Sequence, residues 1–303
     1  MIGEGLVENF IMYVVREQLW KVHILKCKLI KPSEDMRVAF SAILRITDGK
    51  GYLFVRNLHR PETFGPFGGV YKYFEEAVPQ LDNLTFHPQV VGPGDDMKQD
   101  IRGFLPRKNL PKFLRWYRSG ANRETYSDCL CRELKEELRE VGLPKTLRVP
   151  PTLHFRLVRS VLEGPERVPG QPYTQLRIFE VYDLSPTTSH IKKFLKRLLK
   201  EASESPNLII ADAQEIRSGR SREGKVLGHH CGYLLWHKRI RPDTPIFVSA
   251  PELNEQTPSV QLKTAREGAR MGIRSILRKE RIPQNTHNES VSANGVDGDS
   301  NNS

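Results

Sequence analysis

The sequence predicts a mixed α/β domain. Strand-like segments at 38–47, 52–56, 152–162, 173–184 and 208–211 are interleaved with two stretches of helical periodicity, 122–141 and 187–203. Turn residues punctuate them, as in Asp48-Gly49-Lys50-Gly51. The chain has 303 residues, 38% hydrophobic and 27% charged. That is an ordinary globular composition, with enough apolar residues for one large domain.

Taken in order, residues 4–18 read as a short amphipathic helix, and Trp20 to Ile30 alternates as a strand does. Val38 to Thr47 is a stronger strand. With the turn at 48–51 and Tyr52–Arg56 it predicts a hairpin over 38–56. A glycine-rich loop follows, with Gly65, Pro66, Gly68 and Gly69. Such a loop exposes its backbone to a ligand or makes a plain hairpin turn. Residues 77–120 lack regular patterning at first and read as an insertion. Because a structureless stretch of that length is unusual, it should hold structure of its own, including a basic, aromatic helix near 108–118. In helix 122–141, Thr125 and Asp128 have capping-box spacing, and Gly142 with Pro144 ends the run. Helix 187–203 places Ile191, Phe194, Leu195, Leu198 and Leu199 on one side.

The helix at 122–141 carries the chemistry. At about 100° per residue, Glu133, Glu136, Glu137 and Glu140 share an arc roughly 100° wide. Leu130, Leu134, Leu138 and Val141 occupy the neighbouring arc. Like charges at this spacing repel. A hard divalent cation would offset them, and so would plain solvent on an exposed face.

The formal net charge of +11 favours anionic partners. No stretch approaches the roughly 18 apolar residues of a membrane span. Residues 5–15 are interrupted by Glu8 and Asn9 and lack the flanks of a signal peptide. A cytoplasmic protein without a membrane partner is the expectation. Cys27, Cys129, Cys131 and Cys231 are too sparse for a disulfide framework and predict free thiols. His229, His230 and His237 with Cys231 match no zinc spacing, which favours a core or surface role. The expected domain plan is 1–36, an N-terminal helix and strand; 37–245, the main domain with insertion 77–120; 246–283, a basic extension; and 284–303, a disordered tail. Arg266, Arg270, Arg274 and Arg278 recur every four residues in the extension, as a phosphate-binding stripe or a solvated face.

The glycine loop followed by Arg132-Glu133-Leu134-Lys135-Glu136-Glu137 resembles the Nudix hydrolase superfamily. That family's box runs Gly, five residues, Glu, seven residues, Arg-Glu-aliphatic-x-Glu-Glu, then x-Gly-aliphatic. Gly69 and Glu75 have the first spacing, and Glu124 and Arg132 have the second. Both glutamates cannot fill one position; Glu124 is the closer to the helix. The box is split by the insertion, and Gly142 stands three residues later than the pattern expects. The split and the long flanks look like the divergent Nudix domains found with bacterial antiphage nucleotidyltransferase (SMODS/CBASS) systems.

The resemblance implies an α/β/α sandwich with a mixed sheet and an insertion before the Nudix helix. It implies hydrolysis of a nucleoside diphosphate linked to another group, with Mg²⁺ or Mn²⁺ as cofactor. Glu133, Glu136 and Glu137 would be metal ligands and catalytic groups, and Arg132 would pair with a box carboxylate. Gly68 and Gly69 would let the loop approach the substrate. By position alone, Arg56, Arg60 and Lys72 flank the loop, either as substrate contacts facing phosphate or as solvated surface cations. The implied partners are a nucleotide substrate and a neighbouring nucleotidyltransferase system. Two other readings stay open: a nucleotide-sensing module that does not cleave, and a nucleic-acid-binding protein using the basic extension.

Overall fold

The computed structural model describes residues 29–58, 60–89, 99–144 and 147–240, together with Leu25. The chain divides into two units, 1–258 and 259–303, and all described residues lie in the first. Helix 4–18, the arginine stripe at 266–278, the tail at 284–303 and Cys27 lie outside the described residues.

Strand β1, Asp35–Arg45, is the centre of the larger sheet. One edge pairs in parallel with β8, Thr174–Leu184. The other edge is divided between two partners. Strand β4, Phe67–Val70, takes Ser41–Leu44, and β6, Arg102–Pro106, takes Asp35–Ala39, both antiparallel. The fork falls at Phe40, whose N–H donates to Ile101 O and whose carbonyl accepts from Tyr71 N–H. Strand β7, Phe155–Arg167, closes the far side on β8, and β5, His87–Pro88, pairs with β6. A smaller sheet combines β2 (Tyr52–Arg56), β3 (Thr63–Gly65), β9 (Leu208–Ala211) and β10 (Val226–Leu227).

The expected hairpin over 38–56 is corrected here. Its turn forms: the Asp48 carboxylate accepts from Lys50 and Gly51 N–H, and Leu53 N–H donates to Ile46 O. Beyond the Thr47–Tyr52 bridge the two strands diverge into different sheets. Each strand buries residues on both faces, so each is more useful between layers than side by side. Of the strand expected at 20–30 only Leu25, Leu29 and Ile30 are among the described residues, and Leu25 and Leu29 are helical, not extended.

The two faces of β1 feed two cores. Met36, Val38, Phe40, Ala42 and Leu44 face one way. They pack with helices α2 (Leu110–Ser119), α3 (Tyr126–Glu140) and α4 (Ser189–Glu204). Ile43 faces the other way, with Phe179 and Val181 of β8. There it meets the smaller sheet, helix α5 (Ala213–Ser218) and the 3-10 segment His229–Leu234.

The insertion is structured, as its length required. It holds a short helix α1 (Val78–Asn83), β5, β6 and α2. Phe113, Trp116 and Tyr117 of α2 are buried in the main core, so the insertion is part of the domain and not an appendage.

Candidate active site

Helix α3 starts where its sequence says. Thr125 accepts from Asp128 N–H, and the Asp128 side chain accepts from Thr125 N–H, a reciprocal cap. It ends at Gly142, whose φ of +71° suits a left-handed C-terminal residue. Leu130, Leu134 and Leu138 are buried and fix the rotation of the helix. Tyr126 stacks on Tyr182 of β8 at 4.7 Å. That rotation turns the carboxylate arc toward β4.

Two glycines make the approach possible. A Cβ on Gly69 would collide with the Glu133 carboxylate, so only glycine lets that carboxylate lie on the strand. Gly68 has φ +128°, and its Cβ would strike the Ala42 backbone. Its N–H donates to Glu137 Oε2 at 3.0 Å.

Arg132 ties these parts together. Its Nε donates to Glu124 Oε1 at 2.7 Å and its Nη2 to Glu124 Oε2 at 2.9 Å, a bidentate pair. Nη2 also reaches Val70 O at 3.0 Å, and Nη1 reaches Glu133 Oε1 at 2.6 Å and Glu136 Oε2 at 3.1 Å. Glu124 in turn accepts from Lys72 N–H. It is Glu124 that faces Arg132. Glu75 instead accepts from Gln99 Nε2.

One guanidinium therefore serves three carboxylates, and a fourth, Glu137, lies beside them on Gly68 N–H. Desolvation lifts the Glu133 carboxyl above its ordinary range, against the pull of Arg132. Desolvation, then the charge of Glu133, pushes Glu137 further up. Desolvation opposes the charge on Arg132, but Glu124 and Glu133 more than offset it and hold its pKa above the ordinary value. A cleft of about 420 Å³ opens beside the helix, lined by Glu124, Arg132, Lys135, Asp128 and Thr152 among others.

Not every expected site residue converges. Arg56 bonds Pro61 O and Asn207 Oδ1, and no box carboxylate. His230 stacks on Tyr233 and packs at a tilt against Phe179, and burial holds its pKa well below the ordinary value. Cys231 is buried and donates to Phe64 O, and Cys129, Cys131 and Cys231 are free thiols. Sequence reasoning also missed residues. Asp100, from the insertion, is buried at the fork and pairs with Arg102 at 2.6 Å. Its charge is felt by Glu133. A lone aspartate after a loop gave no signal.

A glycine strand pinned to an acidic helix through an arginine–glutamate pair, at the edge of a mixed sheet, defines a Nudix domain. The chain belongs to the SMODS-associated NUDIX domain family, whose model matches residues 35–235. No curated protein matches the chain. Among the described residues no helix is long and apolar enough to cross a membrane.

The chemistry of the donor set suits a divalent ion. Its hard carboxylate oxygens and its excess negative charge fit Mg²⁺ or Mn²⁺. Among the described residues, no three His, Cys, Asp or Glu side chains are placed as a formed metal cage. Glu133, Glu136 and Glu137, expected as a ligand triad, are drawn apart: two toward Arg132 and one toward Gly68.

Proposed function

We propose that this protein is a Nudix-type pyrophosphohydrolase acting on a nucleoside diphosphate linked to another moiety. One observation carries the reading: a single arginine bonds three carboxylates beside a fourth on Gly68 N–H, and two of the four, Glu133 and Glu137, have raised pKa. Perturbed carboxylates gathered at a glycine strand are the signature of groups tuned for a task. Glu133, Glu136 and Glu137 would hold the metal. A divalent cation there supplies charge neutralisation for the diphosphate and an activated water. Arg132 orients Glu124 and Glu133 and holds strand β4 to the helix through Val70. Gly68 N–H fixes one oxygen of Glu137, and Gly69 gives the Glu133 carboxylate its place.

We place this activity in the cytoplasm, in a bacterial antiphage nucleotide-signalling system beside a nucleotidyltransferase. The family description and the basic charge support that setting. The experiment is product analysis on a nucleotide library with Mg²⁺, Mn²⁺ or EDTA. Metal-dependent release of a monophosphate is expected, and Glu136→Gln should lose it while keeping the fold. No turnover of any nucleotide with either metal would overturn the reading.

One observation favours the second reading, a sensing module. Arg132 already engages Glu133 and Glu136. A sensor would bind nucleotide with an affinity unchanged by EDTA and would release no product.

A further inference from the structure

The face of the larger sheet turned away from α3 holds a group of arginines that the box does not use. Arg37 of β1 is opposite Gln175 of β8. Two residues along, on the same face, Ala39 lies between Arg102 of β6 and Arg177 of β8. With strands about 4.8 Å apart, the three guanidiniums gather around one small alanine. Arg239 joins them by sharing Glu163 with Arg177.

Their charge is not balanced. Among the described residues Arg37 donates only to neutral oxygens, Gln89 Oε1 at 2.8 Å and Gln175 Oε1 at 2.7 Å. Arg102 has Asp100, while Arg177 and Arg239 divide Glu163. Glu166 stands 3.9 Å from Arg239 and is more than half exposed. Four guanidiniums thus face two close carboxylates. Donors are left over as well: Arg102 Nε and Arg177 Nε are buried without a hydrogen-bond partner. Arg177 is only 7% exposed. Arginine cannot accept a hydrogen bond or readily shed its proton. Desolvation moves Arg37 down to about 10 against the pull of Tyr173, with smaller contributions from Arg102 and Arg177. Among the described residues this group of cations offers only donors and, even with Glu166 counted, exceeds its counter-charges, an excess relieved by an anion with several acceptor oxygens.

We propose that Arg37, Arg102 and Arg177 form an anion site that binds a phosphate group. The site adjoins the box, because Asp100 bonds Arg102 and its field reaches both Arg132 and Glu133. It goes beyond hydrolysis, since it requires only that the ligand carry phosphate. The phosphate belongs either to the nucleotide itself or to a separate phosphate ion.

The test uses the full chain in EDTA, with calorimetry and thermal melts in sodium phosphate against sodium chloride of equal ionic strength. Phosphate should bind and raise Tm where chloride does not. Gln175→Glu keeps the acceptor on Arg37 and supplies a built-in counter-charge, so it should raise Tm without ligand and weaken phosphate binding about tenfold or more. Arg37→Met should weaken binding similarly, and Glu137→Gln should leave it unchanged while hydrolysis is lost. Displacement of phosphate by a nucleoside diphosphate identifies the nucleotide as the source. Simultaneous binding identifies a separate ion. Phosphate affinity in Gln175→Glu equal to that of the wild type would overturn the proposal, as would no phosphate binding by the wild type at millimolar concentration.

Discussion

Gly69→Ala is the sharpest perturbation of the box, because a single methyl group addresses a single contact. The new Cβ would overlap both oxygens and the carboxyl carbon of Glu133. Restoring van der Waals separation, about 3.5 Å, requires the carboxylate to retreat by on the order of 1 Å. The Glu133–Arg132 bond, now 2.6 Å, cannot survive that movement intact. A hydrogen bond between charged groups contributes about 1.5–3 kcal/mol. For a domain of this size each kcal/mol corresponds to about 2–4 °C, so Tm should fall by about 3–12 °C. A misplacement of about 1 Å at a catalytic group should also lower turnover roughly a hundredfold. Thermal melts and metal-dependent nucleotide hydrolysis read the two effects. An alanine variant that melts within about 1 °C of wild type and turns over normally would refute the seating of Glu133 on the strand.

Other outcomes follow from the same geometry. Glu124→Gln breaks the bidentate pair with a mostly buried Arg132 and should cost about 2–3 kcal/mol in denaturant unfolding, whereas Glu75→Gln should stay within about 0.5 kcal/mol. Equal costs would show that Glu124 does not complete the box. Glu137 has a raised carboxyl pKa when folded, so its favourable contribution is complete below the unfolded value of about 4.3 and is lost as pH rises toward the folded one. Glu137→Gln should therefore gain stability on wild type as pH rises above about 4.3 in metal-free buffer. A difference that does not change with pH would contradict the desolvation argument. Saturating Mg²⁺, at about a hundred times its Kd, should stabilise the wild type by about 2.7 kcal/mol and Glu137→Gln much less. Identical melts with and without Mg²⁺ would count against a metal site.

Local signals were legible and long-range ones were not. Thr125, Asp128, Gly142 and the leucine arc located α3, because caps and periodicity act within a few residues. Strands β7 and β8 and helix α4 were similarly evident from patterning. The hairpin misled because the turn at 48–51 is encoded locally, while the sheet each strand joins is decided by partners such as β9, far along the chain. The choice between Glu75 and Glu124 depended on how the insertion folds, which spacing alone does not state. The arginine group had a faint trace. Arg37, Gln175 and Arg177 interrupt strands otherwise apolar enough to be buried on both faces.

The divided edge of β1 has a kinetic consequence. Lys72 N–H and the Glu124 carboxylate that accepts from it are 52 positions apart, and the chain between them must first lay β6 along β1. Closing such a loop comes before its contacts repay it, which makes the box a late event in folding. Helix α3, capped from within, can form early, yet its carboxylates acquire their arginine geometry only when the fork closes. In refolding, helical signal should precede metal competence, and destabilising β6 should slow the second without slowing the first.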